Sequence, residues 1–402
     1  MAHGISLPVS ARPFAGEETR ARAESARAET IPWYIWCCVG AAVSAMLGGT
    51  WDISWHKTIG RDTFWTPAHM LIYLCGVMTG IGCGWLILST TFRKNAPLRA
   101  ASVTLWGFRA PLGAFICAWG GIAMLASAPF DDWWHNAYGL DVKVLSPPHV
   151  VLILGIMAIR LGCLILILGA MNRASGELHK HLDWLLLFMG AVLGGGTLSA
   201  FLEFTSRNMM HSALFYRIVG IVAPVFLVAV ARASGRRFAL TTMAGIGMLY
   251  TLLSLWILPL FPAQPKLGPV FYHVTHMIPA QEFPLLVIAG AFALDLVRSR
   301  ARTWSDWKLA VVGGVVFLGA FLAVQWPFAN FLISPASGNW IFGTHYVPYF
   351  VPPDTDYARG VFSLIERTSM QFWFGMATAF VASILSTRAG LAWGNWMQRV
   401  QR

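Results

Sequence analysis

Apolar runs of about 20 residues recur along this 402-residue chain from near residue 33 to the C-terminus. That is the length a helix needs to cross the roughly 30 Å hydrocarbon core of a bilayer. Inside such a core each backbone N–H and C=O must be satisfied within its own segment, which leaves helices as the spanning element. The charge content agrees: 12% of residues are charged, against about 25% in soluble domains. The expected fold is an all-α polytopic membrane helical bundle of about ten transmembrane helices, over 33–52, 67–91, 110–129, 147–170, 184–204, 212–231, 240–261, 278–297, 308–326 and 361–386.

Residues 1–32 carry no apolar core of a signal peptide and read as a cytoplasmic tail, helical around 16–29. The net charge of +11 does not point to nucleic acid. Lys and Arg concentrate in the tail, in the loops 93–109, 171–183, 231–238 and 298–308, and at the C-terminal end, as the positive-inside rule places them. Both termini are therefore expected in the cytoplasm, with the protein in the inner (cytoplasmic) membrane. The loops 52–66, 130–146, 205–211, 262–277 and 327–360 would face the other side. Nineteen tryptophans and nine tyrosines, many at the edges of runs, fit an interfacial belt. The six cysteines, Cys37, Cys38, Cys75, Cys83, Cys117 and Cys163, fall within spans without zinc-ribbon spacing and read as small residues packed between helices.

Histidines gather on the outer side: His56, His69, His135, His149, His211, His273, His276 and His345. Two segments there repeat one pattern. The first runs Asp52, Trp55, His56, Gly60, Asp62, Thr66, Pro67, His69; the second runs Asp131, Trp134, His135, Gly139, Asp141, Ser146, Pro147, His149. Agreement at this many ordered positions marks an internal duplication of a helix–loop–helix unit. Asp52 and His56 are four apart and share one helix face, as do Asp131 and His135. Thr66-Pro67 and Ser146-Pro147 read as an N-cap followed by proline at the first helical position. That puts His69 and His149 in the first turn of the returning helix.

Each hairpin thus directs two imidazoles and a carboxylate (Asp131, or its neighbour Asp132, in the second) to one place. This three-ligand set suits a divalent transition metal with positions left open. Asp62 and Asp141 are placed to orient the imidazole N–H groups from behind. The competing reading is a structural network in which Asp–His hydrogen bonds fasten each hairpin. The ligand types alone admit copper, zinc or iron.

At these residues the sequence resembles the C subunit of the copper membrane monooxygenases, which include particulate methane and ammonia monooxygenases. Trp55-His56, Arg61-Asp62-Thr63, Thr66-Pro67 and His69 look like that subunit's signature. The resemblance implies a metal site of Asp52, His56 and His69, and a second of an Asn and two histidines, matched by His135 and His149. Asp131 stands where that family has Asn. The likeness covers about residues 50–170. A weaker one, to the A subunit, appears at Phe283-Pro284, Leu294-Asp295 and Gln325-Trp326-Pro327. The implied organisation is a C-subunit-like half over 33–183 and a second half over 184–402. No segment resembles the family's soluble cupredoxin-bearing B subunit, which implies partner membrane or cupredoxin-type subunits and an oligomer.

Other candidates are weaker. His273 and His276 with Glu282 form a third cluster, while His211 and Glu203 read as interfacial. Arg160, in mid-span, should face the bundle interior, and Glu366 with Arg367 reads as a local ion pair. The leading function is a copper-dependent membrane monooxygenase-like enzyme that hydroxylates a small apolar substrate with dioxygen. The alternatives are a membrane copper-binding assembly or transport protein, and a structural subunit.

Overall fold

The computed structural model describes residues 30–139, 146–301, 303–342, 362 and 365–401. Its helices are α1 (Trp33–Thr58), α2 (Pro67–Phe92), α3 (Leu112–Tyr138), α4 (Pro147–Met171), α5 (Gly176–Ala200), α6 (Ala213–Ser234), α7 (Ala239–Ile257), α8 (Val287–Arg300), α9 (Asp306–Leu332) and α10 (Ser369–Met397). Among the described residues, nine helices are long and apolar enough to cross a membrane. The chain is a multi-pass membrane protein. Its only strands among those residues, β1 (Val103–Leu105) and β2 (Phe108–Ala110), form a hairpin between α2 and α3. Trp106 and Gly107 turn it with φ of 51° and 83°, the positive-φ pair that a two-residue hairpin loop requires.

The eighth expected span, 278–297, is a helix only from Val287. Pro279 and Pro284 each remove a backbone donor and forbid a continuous helix. Residues 278–286 instead run in irregular backbone with Ile278 and Phe283 fully buried, and such backbone is tolerated at membrane depth when protein surrounds it. The fifth helix begins at Gly176 rather than at 184, because its first turns are polar and hydropathy does not register them. The helical tail expected at 16–29 lies outside the described residues, as do His3, His345 and most of the loop 327–360.

Two kinds of packing position the outer loops. Between α3 and α4, Gly113 faces Gly162 and Gly120 faces Gly155, each a helix period of seven along its own helix. A Cβ at any of the four would meet the facing backbone within 2.5–2.8 Å. Without these glycines the helices could not approach closely, the usual device of membrane helix pairs. At the far end of α1, Ser54 Oγ donates to the Ile278 carbonyl and the Ile278 N–H donates to Thr58 Oγ1 at 2.9 Å. Lys57 Nζ reaches the Ala280 carbonyl at 2.7 Å and Glu282 at 2.8 Å. The irregular segment before α8 is thereby fastened to the helix that carries Asp52 and His56.

The boundary drawn at residue 183 falls inside α5, and one buried core runs across it from Ile35 to Val400. In the second half, Asp295 is fully buried on α8 and accepts from the Thr241 N–H and hydroxyl at 2.9 and 2.8 Å. It thus holds the first turn of α7, where a carboxylate is favoured by the helix dipole. Gln325 Oε1 accepts from the Leu286 N–H at 2.8 Å. Asp295 and Gln325, two residues of the second resemblance, therefore have structural partners.

Candidate metal centres

α1 continues past the expected end of its span to Thr58, and α3 past 129 to Tyr138. Asp52 with His56, and Asp131 with His135, accordingly occupy the final turns of two helices. Each helix then stops at a glycine with positive φ, Gly60 at 101° and Gly139 at 86°. That is why glycine recurs four residues after each histidine: a left-handed residue ends a helix at little cost only if it lacks a Cβ. At Gly60 the constraint is also steric, since a Cβ there would stand 2.0 Å from the Leu267 carbonyl oxygen. The Arg61 N–H donates to that carbonyl at 2.7 Å, and Lys266 N–H returns a bond to the Ile59 carbonyl at 2.9 Å. The 262–277 segment therefore fixes the path of the loop that brings Asp62 inward.

The returning helices start as expected at Pro67 and Pro147. Ser146 caps its helix by accepting from the His149 N–H. Thr66 does not: its hydroxyl accepts from the Thr63 N–H at 2.8 Å and so closes the preceding loop instead.

In the first centre, His69 Nε2 lies 3.2 Å from Asp52 Oδ1 and 2.6 Å from Asp62 Oδ2. His56 Nε2 lies 3.8 Å from Asp52 Oδ2 and 3.4 Å from Asp62 Oδ2. Asp52, Asp62 and His69 each offer a ligand atom, all within 4.8 Å of one another. Asp62, read from the sequence as supporting the imidazoles from behind, stands instead among the ligand atoms. His56 is the most open member at 41% side-chain exposure and Asp62 the least at 10%. Burial works to raise the Asp62 carboxyl, but the His56 and His69 imidazoles against it outweigh burial and hold it well below the usual carboxylate range.

In the second centre a single carboxylate reaches both imidazoles. Asp131 Oδ2 lies 3.4 Å from His135 Nε2 and Oδ1 lies 3.4 Å from His149 Nε2, with all three ligand atoms within 4.8 Å of one another. Asp132 points elsewhere, accepting from the Asn136 side chain at 3.4 Å. Asp141 lies outside the described residues. The ring of Tyr73 on α2 lies 6.0 Å from the His69 ring.

Two features test whether a metal fits. His135 Nδ1 donates to the Gly139 carbonyl at 3.4 Å. A carbonyl only accepts, so Nδ1 carries a proton and Nε2 is the nitrogen that faces Asp131, the one a metal would take. Asp52 Oδ1 and Asp131 Oδ1 are buried and face only imidazole nitrogens, His69 Nε2 at 3.2 Å and His149 Nε2 at 3.4 Å, a setting in which an anionic oxygen gains from a cation against it. Ligand atoms about 2.1 Å from a tetrahedral ion stand about 3.4 Å apart, close to the separations in both centres. The residues fit a divalent ion.

The weaker candidates resolve differently. Glu282 pairs with Lys57 at 2.8 Å and with Arg207 at 3.2 Å, while His276 Nδ1 meets the Thr275 hydroxyl at 2.9 Å. His211 Nε2 donates to Asn330 Oδ1 at 2.7 Å and stacks edge-on with Trp326. Burial lowers its pKa, against the opposing effect of the Asn330 hydrogen bond. Glu366 accepts from Ser212 at 3.2 Å rather than pairing with Arg367, whose N–H goes to Gln371. Arg160 is buried over Gly196 and faces the bundle interior, as expected. Sequence spacing did not reveal that Cys38, Cys83 and Cys117 meet, since they come from three separate helices.

Compared with family models, curated proteins and solved structures, the chain matches none. The resemblance to copper membrane monooxygenases therefore rests on the motif residues themselves.

Proposed function

We propose that this protein is a copper-dependent membrane monooxygenase of the type its motif resembles, acting on a small apolar substrate with dioxygen. The observation that carries the reading is the repetition: on two hairpins a carboxylate lies between two imidazole nitrogens, at the end of a membrane-spanning bundle. Copper is favoured because it tops the affinity order for nitrogen and oxygen ligands. Bound there, it would supply the means of inserting one oxygen atom into a C–H bond while two electrons and two protons from a donor reduce the other atom to water. Asp52, His56, His69 and Asp62 would hold one ion, and Asp131, His135 and His149 the other. The chain's own part is positional. The Gly139 carbonyl sets the His135 tautomer, and the Gly60 turn, pinned to Leu267, brings Asp62 in. Apolar substrate would arrive from the bilayer, and the charge pattern favours the non-cytoplasmic side for both centres.

The test is protein purified in native lipid, given a reductant, dioxygen and a short-chain alkane. Alcohol formation that is lost in His56→Ala or His135→Ala supports the reading. Copper bound at both centres and passed to an acceptor protein, with no oxygen consumed, would favour an assembly or transport role instead.

A further inference from the structure

We propose that Cys38, Cys83 and Cys117 form a third metal site, separate from the two carboxylate–histidine centres and built for a soft monovalent ion, Cu(I). The three sulfurs come from α1, α2 and α3, lie within 4.8 Å of one another and are completely buried. Each is 14 residues along its helix from a residue of the carboxylate–histidine centres: Cys38 from Asp52, Cys83 from His69, Cys117 from Asp131. At 1.5 Å per residue that is about 21 Å. The thiol cluster therefore sits toward the opposite face of the membrane and belongs to neither outer centre.

Its geometry selects the ion. A metal–thiolate bond of about 2.3 Å puts the sulfurs of a planar three-coordinate ion about 4 Å apart. The Cys38 and Cys83 sulfurs are 3.4 Å apart and all three pairs fall within 4.8 Å, so loading changes each separation by less than about 1 Å. No fourth Cys, His or carboxylate joins the group among the described residues. Closed structural zinc sites and iron–sulfur clusters use four protein ligands, and three-ligand zinc keeps a water in the fourth position, whereas soft thiolates in a buried apolar setting select Cu(I). Room for the ligands is built into the next helix: a Cβ at Gly162 of α4 would stand 2.6 Å from Cys117 Sγ. The surroundings are apolar, with Ile35, Leu86 and Ile167 in the same core. Copper enters as Cu(I) and no electron is transferred. Each sulfur that ligates as a thiolate releases its proton, and a single deprotonation leaves the loaded site neutral, as an apolar setting favours.

The experiment uses the full chain in lipid nanodiscs, reduced and anaerobic, titrated with Cu(I) against a competing Cu(I) chelator and followed by X-ray absorption at the copper edge. With one equivalent of Cu(I) added per chain, the expected result is a sulfur-only shell at about 2.3 Å. Cys83→Ser and Cys117→Ser should abolish that shell, while Cys37→Ser and His56→Ala retain it. A wild-type protein without a sulfur shell, or one in which thiol counting finds Cys38 and Cys83 joined as a disulfide that a membrane-permeant reductant does not open, overturns the proposal. So does a sulfur shell that survives Cys83→Ser and Cys117→Ser together. The wild-type spectrum alone decides the matter if the serine variants fail to fold.

Discussion

His69 Nε2 lies 2.6 Å from Asp62 Oδ2, closer than to Asp52, the carboxylate that the repeat pairs with it. The loop carboxylate is thus as much a part of the first centre as the helical one. Asp62→Asn should keep the bundle folded and lower metal affinity at that centre by roughly 10- to 100-fold, with the second centre unaffected. Metal titration of the variant beside wild type checks this, and an unchanged affinity would return Asp62 to a purely supporting role.

Gly60→Ala and Gly139→Ala separate steric from conformational demands at the two equivalent turns. Each places a Cβ on a positive-φ residue, costing about 1–2 kcal/mol. Only at Gly60 does the new methyl also meet backbone, the Leu267 carbonyl, whereas at Gly139 it meets nothing among the described residues. Thermal unfolding in lipid should therefore show the larger loss for Gly60→Ala, together with weaker metal binding at the first centre. Equal losses would count against the pinning of that loop by the 262–277 segment.

How much of this was legible in the sequence depended on what fixes each residue. The spans other than the eighth, and the Asp52–His56 and Asp131–His135 pairs, could be read because hydropathy marks the first and the pairs sit on helix ends, where spacing of four residues gives a shared face. The N-cap at Ser146 followed from the same rules. Asp62 was misplaced because it lies in a loop whose course is set by Leu267, some two hundred residues away in the chain. The break before α8 was written in Pro279 and Pro284, yet a hydropathy run conceals prolines among apolar neighbours. The thiol cluster was illegible because it depends on the rotation of α1, α2 and α3 about their axes, which no single helix specifies.

Glu282 joins α1 to the outer segments through Lys57 and Arg207. Glu282→Gln leaves two largely buried cations without their carboxylate, which should cost on the order of 3 kcal/mol. The double change Lys57→Met with Glu282→Gln should recover part of that loss. Chemical or thermal unfolding of the three proteins gives the comparison; no recovery would mean that Arg207 rather than Lys57 carries the interaction.

At the second centre a carboxylate, Asp131, stands where the resembled family has an amide. Charge attraction to a bound cation should make this centre hold metal more tightly than an amide in the same place would. Asp131→Asn should therefore weaken metal retention while leaving the helices intact, measured by competition with a chelator and by circular dichroism. Equal retention in the variant would show that the two histidines suffice.

The central claim is that each hairpin holds one metal ion through its two histidines and carboxylate. It is tested most directly by metal content per chain of protein purified in native lipid, in a Cys83→Ser background so that thiol-bound copper does not contribute. Two equivalents in the parent, with one lost in His56→Ala and the other in His135→Ala, is the expected result. Unchanged metal content in both folded variants, or none in the parent under metal-replete growth, would contradict it and leave the Asp–His pairs as structural fasteners.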